Sequence, residues 1–390
     1  MKQETTFKAL KASGYAHKTI NQEIQANLIS RIKAKQPVFE GLLGYEDTVV
    51  PQLKKAILAG HHINLLGLRG QAKTRIARSM VDLLDEYMPI VQGSEINDSP
   101  FAPISRFAVD LVAELGDKTP IAWVHRSARF FEKLATPDVN ISDLIGDIDP
   151  IKAATLKLPY SDERVLHYGM IPRANRCIFV LNELPDLQAR IQVSLFNILQ
   201  EGDIQIRGFQ LRMPLDIQFV FTANPEDYTN RGSIVTPLKD RIGSQIFTHY
   251  PKNIALARAI TEQEAKISAE DLAAVFIPDM AKNLLEEVSF TARDSEYVDA
   301  KSGVSARLSI SAMENLIAAG KLRLIETESE KTTIRLVDFM SIIPSITGKI
   351  ELVYEGEQEG ADEVAKMLID AAVLVQFNQL FPRIPKLEKA

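Results

Sequence analysis

The chain has 390 residues, of which 46% are hydrophobic and 25% are charged. These fractions are typical of soluble globular proteins and exclude a mostly disordered or collagen-like chain. The formal net charge of −6 argues against a large nonspecific nucleic-acid footprint. The single cysteine, Cys177, lies in an apolar run, so we expect a core residue and no intrachain disulfide framework. The sequence has no run of the roughly 18 apolar residues that span a membrane and no apolar secretory core at its start, so we expect a cytoplasmic protein.

Residues 1–37 are predicted to form a polar arm followed by a helix. Apolar residues recur on one helical face between positions 20 and 32, and Pro37 ends the pattern. We interpret this helix as one that packs on the domain that follows.

Residues 38–251 alternate strand-like and helical patterns. Short apolar runs at Ile63–Leu66, 122–124, 177–181 and 219–222 are typical of buried strands. Strands that alternate with helices predict a parallel sheet with helices on both faces. The predicted fold class is therefore α/β.

Residues 252–390 are predicted to form a smaller, all-helical region. Apolar residues recur there at helical spacing, and strand signals are rare. An acidic stretch at residues 354–360 interrupts these patterns, and we expect it to be an exposed loop.

A glycine-rich turn between a predicted strand and a predicted helix carries the P-loop pattern, with alanine at the position of the second glycine. Backbone N–H groups of such a turn surround phosphate oxygens, the lysine supplies a cation to the β- and γ-phosphates, and the threonine hydroxyl binds Mg²⁺. We therefore expect ATP and Mg²⁺ as cofactors. The predicted ATP-binding residues are Gly67, Leu68, Arg69, Gly70, Gln71, Ala72, Lys73 and Thr74.

The strand at 177–181 ends in Asn182 and Glu183, where P-loop ATPases usually carry an Asp-Glu pair. In that pair the aspartate holds Mg²⁺ and the glutamate polarises the attacking water. Asn182 offers a neutral oxygen, so it is retained with Thr74 as a predicted Mg²⁺ ligand of weaker charge. Glu183 keeps the predicted catalytic role, and we expect Asn182→Asp to tighten Mg²⁺·ATP or raise turnover.

The order of several motifs resembles the AAA+ ATPases of the MoxR and magnesium-chelatase subunit I group over roughly residues 38–345. The matching segments are FEGLLGYE at 39–46, NISDLIGDIDPIKA at 140–153, HYGMIPRANR at 167–176 and LQEGDIQIRGFQLRMPLDIQFVFTANP at 199–225. The resemblance implies a P-loop AAA+ nucleotide-binding domain at 38–251, followed at 252–390 by a helical lid and a C-terminal helical region.

The same resemblance implies further catalytic roles at matching positions. Asn224 corresponds to sensor 1, which positions the attacking water. Arg241 corresponds to the arginine finger that acts on ATP of the neighbouring subunit, with Arg231 as a rival and Arg207 as a less favoured one. Arg307 corresponds to sensor 2, which reaches the γ-phosphate from the lid. Phosphoryl transfer requires cationic groups at the developing charge.

The predicted function is an ATP-hydrolysing ring motor that remodels or matures a partner protein. The resemblance implies a homo-oligomer, typically a hexamer, and a partner that carries a von Willebrand A domain. No membrane partner is expected, and a nucleic-acid partner is disfavoured. Residues 201–216, with alternating apolar and polar side chains, are the candidate hairpin that passes motion to the partner.

Two alternative functions stay open. A genuine magnesium-chelatase ATPase subunit of chlorophyll synthesis would use the same machinery. A nucleotide-gated scaffold with little turnover belongs to a different class, and Asn182 is its main support. A transcription-activator motor is disfavoured because the sequence contains no GAFTGA loop. A DNA motor is disfavoured by the acidic charge, although Arg207 and Arg212 add local basic character.

Overall fold

A parallel sheet of five strands lies at the centre of the first of two units into which the chain divides. The computed structural model describes residues 4–160, 162–201, 204, 213–225 and 233–381. The first unit comprises Met1–Leu66 and Ala72–Phe247, and the second comprises Gly67–Gln71 and Thr248–Ala390.

The described residues of the first unit form one large sheet and two small ones. Its strands are β1 Ile63–Leu66, β2 Tyr87–Val91, β3 Ile121–His125, β4 Phe130–Leu134, β5 Gly146–Ile148, β6 Leu166–Tyr168, β7 Cys177–Asn182, β8 Ile217–Ala223 and β9 Ser244–Phe247. The large sheet has the order β4-β7-β8-β1-β9, and all of its neighbouring strands run parallel. The other strands form the antiparallel pairs β2–β3 and β5–β6.

Helices connect these strands. The α-helices of the first unit are α1 Phe7–Ala12, α2 Ile20–Lys33, α3 Val49–Leu58, α4 Lys73–Ser79, α5 Arg106–Leu115, α6 Ile141–Leu144, α7 Pro150–Leu156, α8 Met170–Arg173, α9 Ala189–Glu201 and α10 Thr236–Arg241. Short 3₁₀ helices lie at Met80–Leu83, Gly116–Lys118, Arg126–Ala128, Glu163–Val165 and Leu184–Asp186. Helix α2 begins with a capping box in which Thr19 and Gln22 exchange hydrogen bonds.

Apolar side chains are buried on both faces of the sheet. In β7, Ile178 and Val180 pack with residues of α2, α3 and α4. The alternate residues Cys177, Phe179 and Leu181 pack with residues of α6, α8 and α9. A strand that is apolar on both faces requires cover on both faces. The predicted α/β class, with a parallel sheet covered by helices on both faces, is confirmed.

The edge strands differ from the sequence prediction. The predicted run 122–124 lies in β3, which pairs with β2 instead of joining the large sheet. The edges of the large sheet are β4 and β9, which the apolar pattern did not indicate. Their sequences FFEKL and SQIF are mixed and only partly buried, because an edge strand has a neighbour on one side only.

A buried ion pair fixes α2 to the first unit. Arg129 is fully buried and donates hydrogen bonds of 2.6 and 2.7 Å to the two carboxylate oxygens of Glu23. Arg129 also donates to the Arg176 carbonyl, and the Ile20 N–H at the start of α2 donates to Asp216 at 2.7 Å. A bidentate buried pair with further hydrogen bonds has a defined geometry. The predicted N-terminal helix is therefore an integral part of this unit.

The second unit is predominantly helical. Its α-helices are α11 Ile254–Glu264, α12 Ala269–Ala274, α13 Asp279–Asp294, α14 Arg307–Thr327, α15 Ile343–Thr347, α16 Tyr354–Glu359 and α17 Ala361–Leu380, with a 3₁₀ helix at Leu336–Ile342. Two short strands, β10 Val275–Phe276 and β11 Thr332–Thr333, pair in parallel. None of the helices described in either unit is long and apolar enough to cross a membrane.

The acidic stretch that was predicted to be a loop is instead helix α16. The prediction was wrong because its acidic residues suit the start of a surface helix. Glu355 and Glu357 lie in the first turn, where carboxylates interact favourably with the helix dipole.

Candidate nucleotide-binding site

The predicted phosphate-binding turn connects β1, which ends at Leu66, to α4, which begins at Lys73. Within the turn, φ is +74° at Gly70 and +55° at Ala72. Glycine adopts this left-handed conformation readily, whereas alanine adopts it at a cost of about 1–2 kcal/mol. Ala72 therefore preserves the backbone path that the usual glycine would take.

The first five residues of the turn, Gly67–Gln71, pack with the second unit. A Cβ atom on Gly70 would lie 2.2 Å from Ser305 Oγ, so only glycine fits there. The Tyr250 hydroxyl donates to the Arg69 carbonyl at 2.8 Å. These contacts give the glycine-rich segment a defined path within this unit.

Arg307, the predicted sensor 2, is exposed and is the first residue of α14. Its backbone N–H donates to Ser305 Oγ at 3.2 Å. The same oxygen atom is the one that a Cβ on Gly70 would meet. Arg307 therefore begins its helix two residues from a side chain that approaches the turn within the second unit.

Lys73, Asn224 and Glu183 form a hydrogen-bonded chain in the first unit. Lys73 Nζ donates to Asn224 Oδ1 at 2.5 Å, and Asn224 Nδ2 donates to Glu183 Oε2 at 2.7 Å. Lys73 and Asn224 are each only 8% exposed. Because a lysine only donates and a carboxylate only accepts, the amide of Asn224 has one satisfactory orientation. The structure thus brings together three residues that the sequence predicted separately.

The end of β7 is joined to both neighbouring strands. Glu183 has φ +55°, a conformation that non-glycine residues rarely adopt outside functional or strongly constrained sites. Its N–H donates to Thr222 Oγ1 at 3.1 Å, and the Thr222 hydroxyl donates to Asn182 Oδ1 at 3.1 Å. Asn182 Nδ2 in turn donates to Glu132 Oε1 on β4 at 2.7 Å.

Glu132 and Thr222 are two further residues of this arrangement that the sequence did not predict. Glu132 belongs to the edge strand β4, and its second carboxylate oxygen accepts from Arg78 Nη2 at 2.7 Å. The sequence signal was an acidic residue inside the otherwise largely apolar run FFEKL. It points to the site only once β4 is known to lie beside β7. Thr222 was read as part of an apolar strand, and it is 1% exposed.

The predicted Mg²⁺ ligands Thr74 and Asn182 carry side-chain oxygens that could bind a metal ion. In the sequence Thr74 directly follows Lys73, and Asn182 directly precedes Glu183. Thr74 is exposed in the first turn of α4, and Asn182 is the last residue of β7. Mg²⁺ suits such a site, because it is usually bound through one or two protein oxygens, waters and substrate phosphates. In the part of the chain that the structure describes, no cluster of three or more His, Cys, Asp and Glu residues could hold a metal ion.

Arg241, the predicted arginine finger, is the last residue of α10 in the first unit. It forms an ion pair with Asp240, and its guanidinium carbon lies 4.9 Å from the centre of the Phe196 ring. The side chain is 35% exposed. Stacking on an aromatic ring gives a cation a defined direction. The rival Arg231 lies outside the described residues, as does most of the candidate hairpin at 201–216.

Cys177 does not take part in the site. It is buried in β7, and burial raises the pKa of its thiol to about 12. The thiolate is the nucleophilic form of cysteine. Cys177 is therefore a core residue.

The fold and these contacts together identify the class of protein to which the chain is similar. A P-loop joins the first strand of a parallel sheet to the helix that follows it, and its lysine is connected to polar residues at the carboxyl ends of two adjacent strands. This is the arrangement of a P-loop NTPase.

Comparison with known proteins specifies the class further. Residues 159–242 match the family described as "Sigma-54 interaction domain". The chain is 23% identical over 237 residues to "Magnesium-chelatase 38 kDa subunit" of Cereibacter sphaeroides, covering 58% of this chain and 63% of that protein. It is 24% identical over 245 residues to "Magnesium-chelatase subunit ChlI-1, chloroplastic" of Arabidopsis thaliana, covering 61% of this chain and 54% of that protein. The chain thus spans less than two thirds of the length of these relatives.

Among solved structures, the complex between subunits BchI and BchD of magnesium chelatase is similar at 17% identity and a TM-score of 0.44, covering 90% of this chain and 97% of that chain. The RuvB Holliday junction branch migration motor of Thermotoga maritima is similar at 12% identity and a TM-score of 0.42, covering 88% and 78%. The sequence relatives confirm the predicted resemblance: the chain has the arrangement of a P-loop NTPase and is related in sequence to the magnesium-chelatase I subunits.

Proposed function

We propose that the chain binds Mg²⁺·ATP and hydrolyses it as a subunit of a cytoplasmic homo-oligomeric ring. The observation that carries this proposal is the hydrogen-bonded chain from Lys73 through Asn224 to Glu183. It holds a phosphate-binding cation and a carboxylate in a fixed mutual position. Fixed groups of this kind are the main source of catalysis in phosphoryl transfer.

Each residue of this arrangement has a proposed role. Lys73 supplies positive charge to the β- and γ-phosphates, and Thr74 and Asn182 hold the Mg²⁺ ion, which neutralises charge on the phosphates. Glu183 accepts a hydrogen bond from the attacking water and polarises it. Asn224 keeps the Glu183 carboxylate in place and helps to orient that water.

Two arginines complete the proposed site. Arg307 contributes from the start of α14 within the same chain. Arg241 is the preferred arginine finger and acts on the nucleotide of a neighbouring subunit, which makes hydrolysis depend on assembly. A hexameric ring is the proposed assembly. Motion produced by hydrolysis would remodel or mature a partner protein that carries a von Willebrand A domain.

Two other functions have specific support. The sequence relatives favour a magnesium-chelatase ATPase subunit. Formation of a magnesium porphyrin with added chelatase subunits separates this function from a remodelling motor of the MoxR type. Asn182 favours a nucleotide-gated scaffold with little turnover, because a neutral amide stands where an aspartate is usual.

The decisive measurement is the ATPase rate per subunit as a function of protein concentration with Mg²⁺ present. We expect the rate to rise with concentration, because the arginine finger comes from another subunit. Glu183→Gln should lower turnover by about 10²-fold or more, since general-base catalysis typically contributes that much. Lys73→Ala should abolish nucleotide binding.

The matched control is Glu114→Gln, an equal change of charge on the exposed face of α5. It should leave both nucleotide affinity and turnover unchanged. Unchanged ATP affinity in Lys73→Ala would refute the P-loop assignment. Nucleotide binding without any turnover that depends on Glu183 would favour the scaffold.

A further inference from the structure

Asn182, the neutral residue at the usual aspartate position, lies against a carboxylate from the adjacent strand. β4 and β7 are parallel neighbours, with Leu134 opposite Asn182 and Glu132 opposite Val180. Glu132 is therefore two residues before the end of the paired segment, and its side chain reaches the amide of Asn182 at 2.7 Å. Negative charge is thus present beside Asn182, but on a different strand.

The hydrogen bonds around Asn182 determine which way its amide points. A carboxylate only accepts hydrogen bonds, so the NH₂ group must face Glu132. The Thr222 hydroxyl donates to the amide oxygen at 3.1 Å, which agrees with that orientation. The oxygen of Asn182 retains a second lone pair, so it can also accept from a metal-bound water or bind the metal.

The Glu132 carboxylate is itself held from both sides. One oxygen accepts from Asn182 and the other accepts from Arg78 Nη2 at 2.7 Å. The Arg78 guanidinium carbon lies 5.0 Å from the centre of the Phe130 ring, which supports the arginine in turn. The side chain of Glu132 is 26% exposed, so the carboxylate is shielded but not cut off from solvent.

We propose that Glu132 on β4 supplies the negative charge that an aspartate at the end of β7 normally supplies. Glu132 acts as a positioning residue, because it orients the amide of Asn182 and places a negative charge beside it. Asn182 then offers the oxygen atom to Mg²⁺ or to its bound water, and Glu132 supplies the negative charge, so the two residues together replace a single aspartate. The inference rests on the proposed Mg²⁺·ATP binding, and it accounts for an amide at a position where a carboxylate is usual.

This arrangement changes the effect expected of Asn182→Asp. Restoring the usual aspartate would place two carboxylates within hydrogen-bonding distance, and like charges so close repel each other. The single substitution should therefore fail to strengthen Mg²⁺ binding. Glu132→Gln combined with Asn182→Asp exchanges the amide and the carboxylate between the two strands, so the hydrogen bond can form again with its direction reversed.

The test measures how Mg²⁺ strengthens the binding of a fluorescent ATP analogue to the full chain. The fluorescence of the analogue gives the Mg²⁺ concentration at which half of the increase in affinity is reached. Groups that hold a metal ligand typically contribute about 10- to 100-fold to metal affinity. We therefore expect Glu132→Gln to raise the required Mg²⁺ concentration about tenfold. Asn182→Asp alone should not lower it, whereas the double variant should return to within about threefold of the unmodified protein, a strongly non-additive result.

Two outcomes overturn the inference. One is an unchanged Mg²⁺ requirement in Glu132→Gln, and the other is additive effects of the two substitutions in the double variant. Glu114→Gln controls for the loss of one negative charge. Thermal unfolding of each variant identifies loss of structure, and the double variant keeps the test valid if Glu132→Gln alone proves unstable. If the unmodified protein binds no ATP analogue at all, the proposed function fails, and the inference fails with it.

Discussion

Asn224 connects Lys73, the proposed phosphate-binding lysine, to the proposed catalytic carboxylate of Glu183. Its amide contacts Lys73 on one side and Glu183 on the other, at 2.5 and 2.7 Å. Loss of that amide would leave both charged groups in place but would remove the hydrogen bonds that hold them in position relative to each other. Asn224 should therefore matter more for the chemical step than for nucleotide affinity.

We expect Asn224→Ala to lower single-turnover ATP hydrolysis by about 10²-fold, the typical effect of removing one positioned hydrogen-bond donor. ATP affinity should be kept or slightly increased, because Lys73 loses a competing acceptor. Rapid-quench kinetics and nucleotide titration measure the two quantities separately. A loss of affinity as large as the loss of rate would instead indicate a binding or folding role.

The sequence predicted those residues whose roles depend on local spacing. Lys73 and Thr74 follow from the P-loop pattern, and Glu183 follows from its place after an apolar strand. Asn224 was predicted from the family resemblance. Their mutual contacts could be anticipated, because parallel strands present their carboxyl ends at the same edge of a sheet. Glu132 could not be anticipated, because its importance depends on which strand lies beside β7.

At the scale of the elements, the interior of the sheet was easier to predict than its edges. β1, β7 and β8 are mostly apolar and almost entirely buried, because they have neighbouring strands on both sides and helices on both faces. β4 and β9 have one neighbouring strand each, so their sequences tolerate polar residues. The same tolerance allows β4 to carry Glu132 close to the end of β7.

The junction between β1 and β8 contains a histidine that should make stability depend on pH. His62 Nδ1 accepts the Phe219 N–H at 3.3 Å, and the two rings meet edge to face. Burial, with a smaller contribution from His61, lowers the pKa of His62 to about 4. The unfolded chain binds this proton near pH 6.5, so the contribution of His62 to stability is complete above pH 6.5 and is lost as the pH falls towards 4.

His62→Asn should therefore reduce the acid sensitivity of folding. We expect the difference in free energy of unfolding between pH 7 and pH 4.5 to shrink by on the order of 2 kcal/mol in this variant. Urea unfolding at the two pH values measures it. The same substitution at the exposed His167 is the control and should leave the difference unchanged. An equal pH dependence in His62→Asn and the unmodified protein would contradict the assignment.

At the scale of the whole molecule, the proposed ring makes each site depend on two chains. In that ring, Lys73 and Glu183 would act on the nucleotide of their own chain, whereas Arg241 would act on the nucleotide of the neighbouring chain. This division can be examined by mixing two inactive variants. Neither variant alone has a complete site, but a mixed ring contains some complete ones.

Lys73→Ala subunits would provide the arginine finger, and Arg241→Ala subunits would provide an intact phosphate-binding turn. We expect the mixture to recover up to about a quarter of the unmodified ATPase rate, because statistical mixing places the productive neighbours together at about one site in four. Steady-state ATPase assays after subunit exchange measure the recovery. Mixing Lys73→Ala with Glu183→Gln is the control. Both residues belong to the site of the same chain, so no arrangement of these subunits completes a site and we expect no recovery. An Arg241→Ala protein that is fully active alone would exclude this arginine as the finger.

The burial of Cys177 has a practical consequence for following such a ring at work. It is the only cysteine of the chain, and its thiol is both enclosed and poorly ionised at neutral pH. Maleimide reagents attack thiolates at accessible positions. Fluorophores can therefore be attached at cysteines introduced on the surface while the native residue stays in place, so distances between subunits become measurable without disturbing the centre of the sheet.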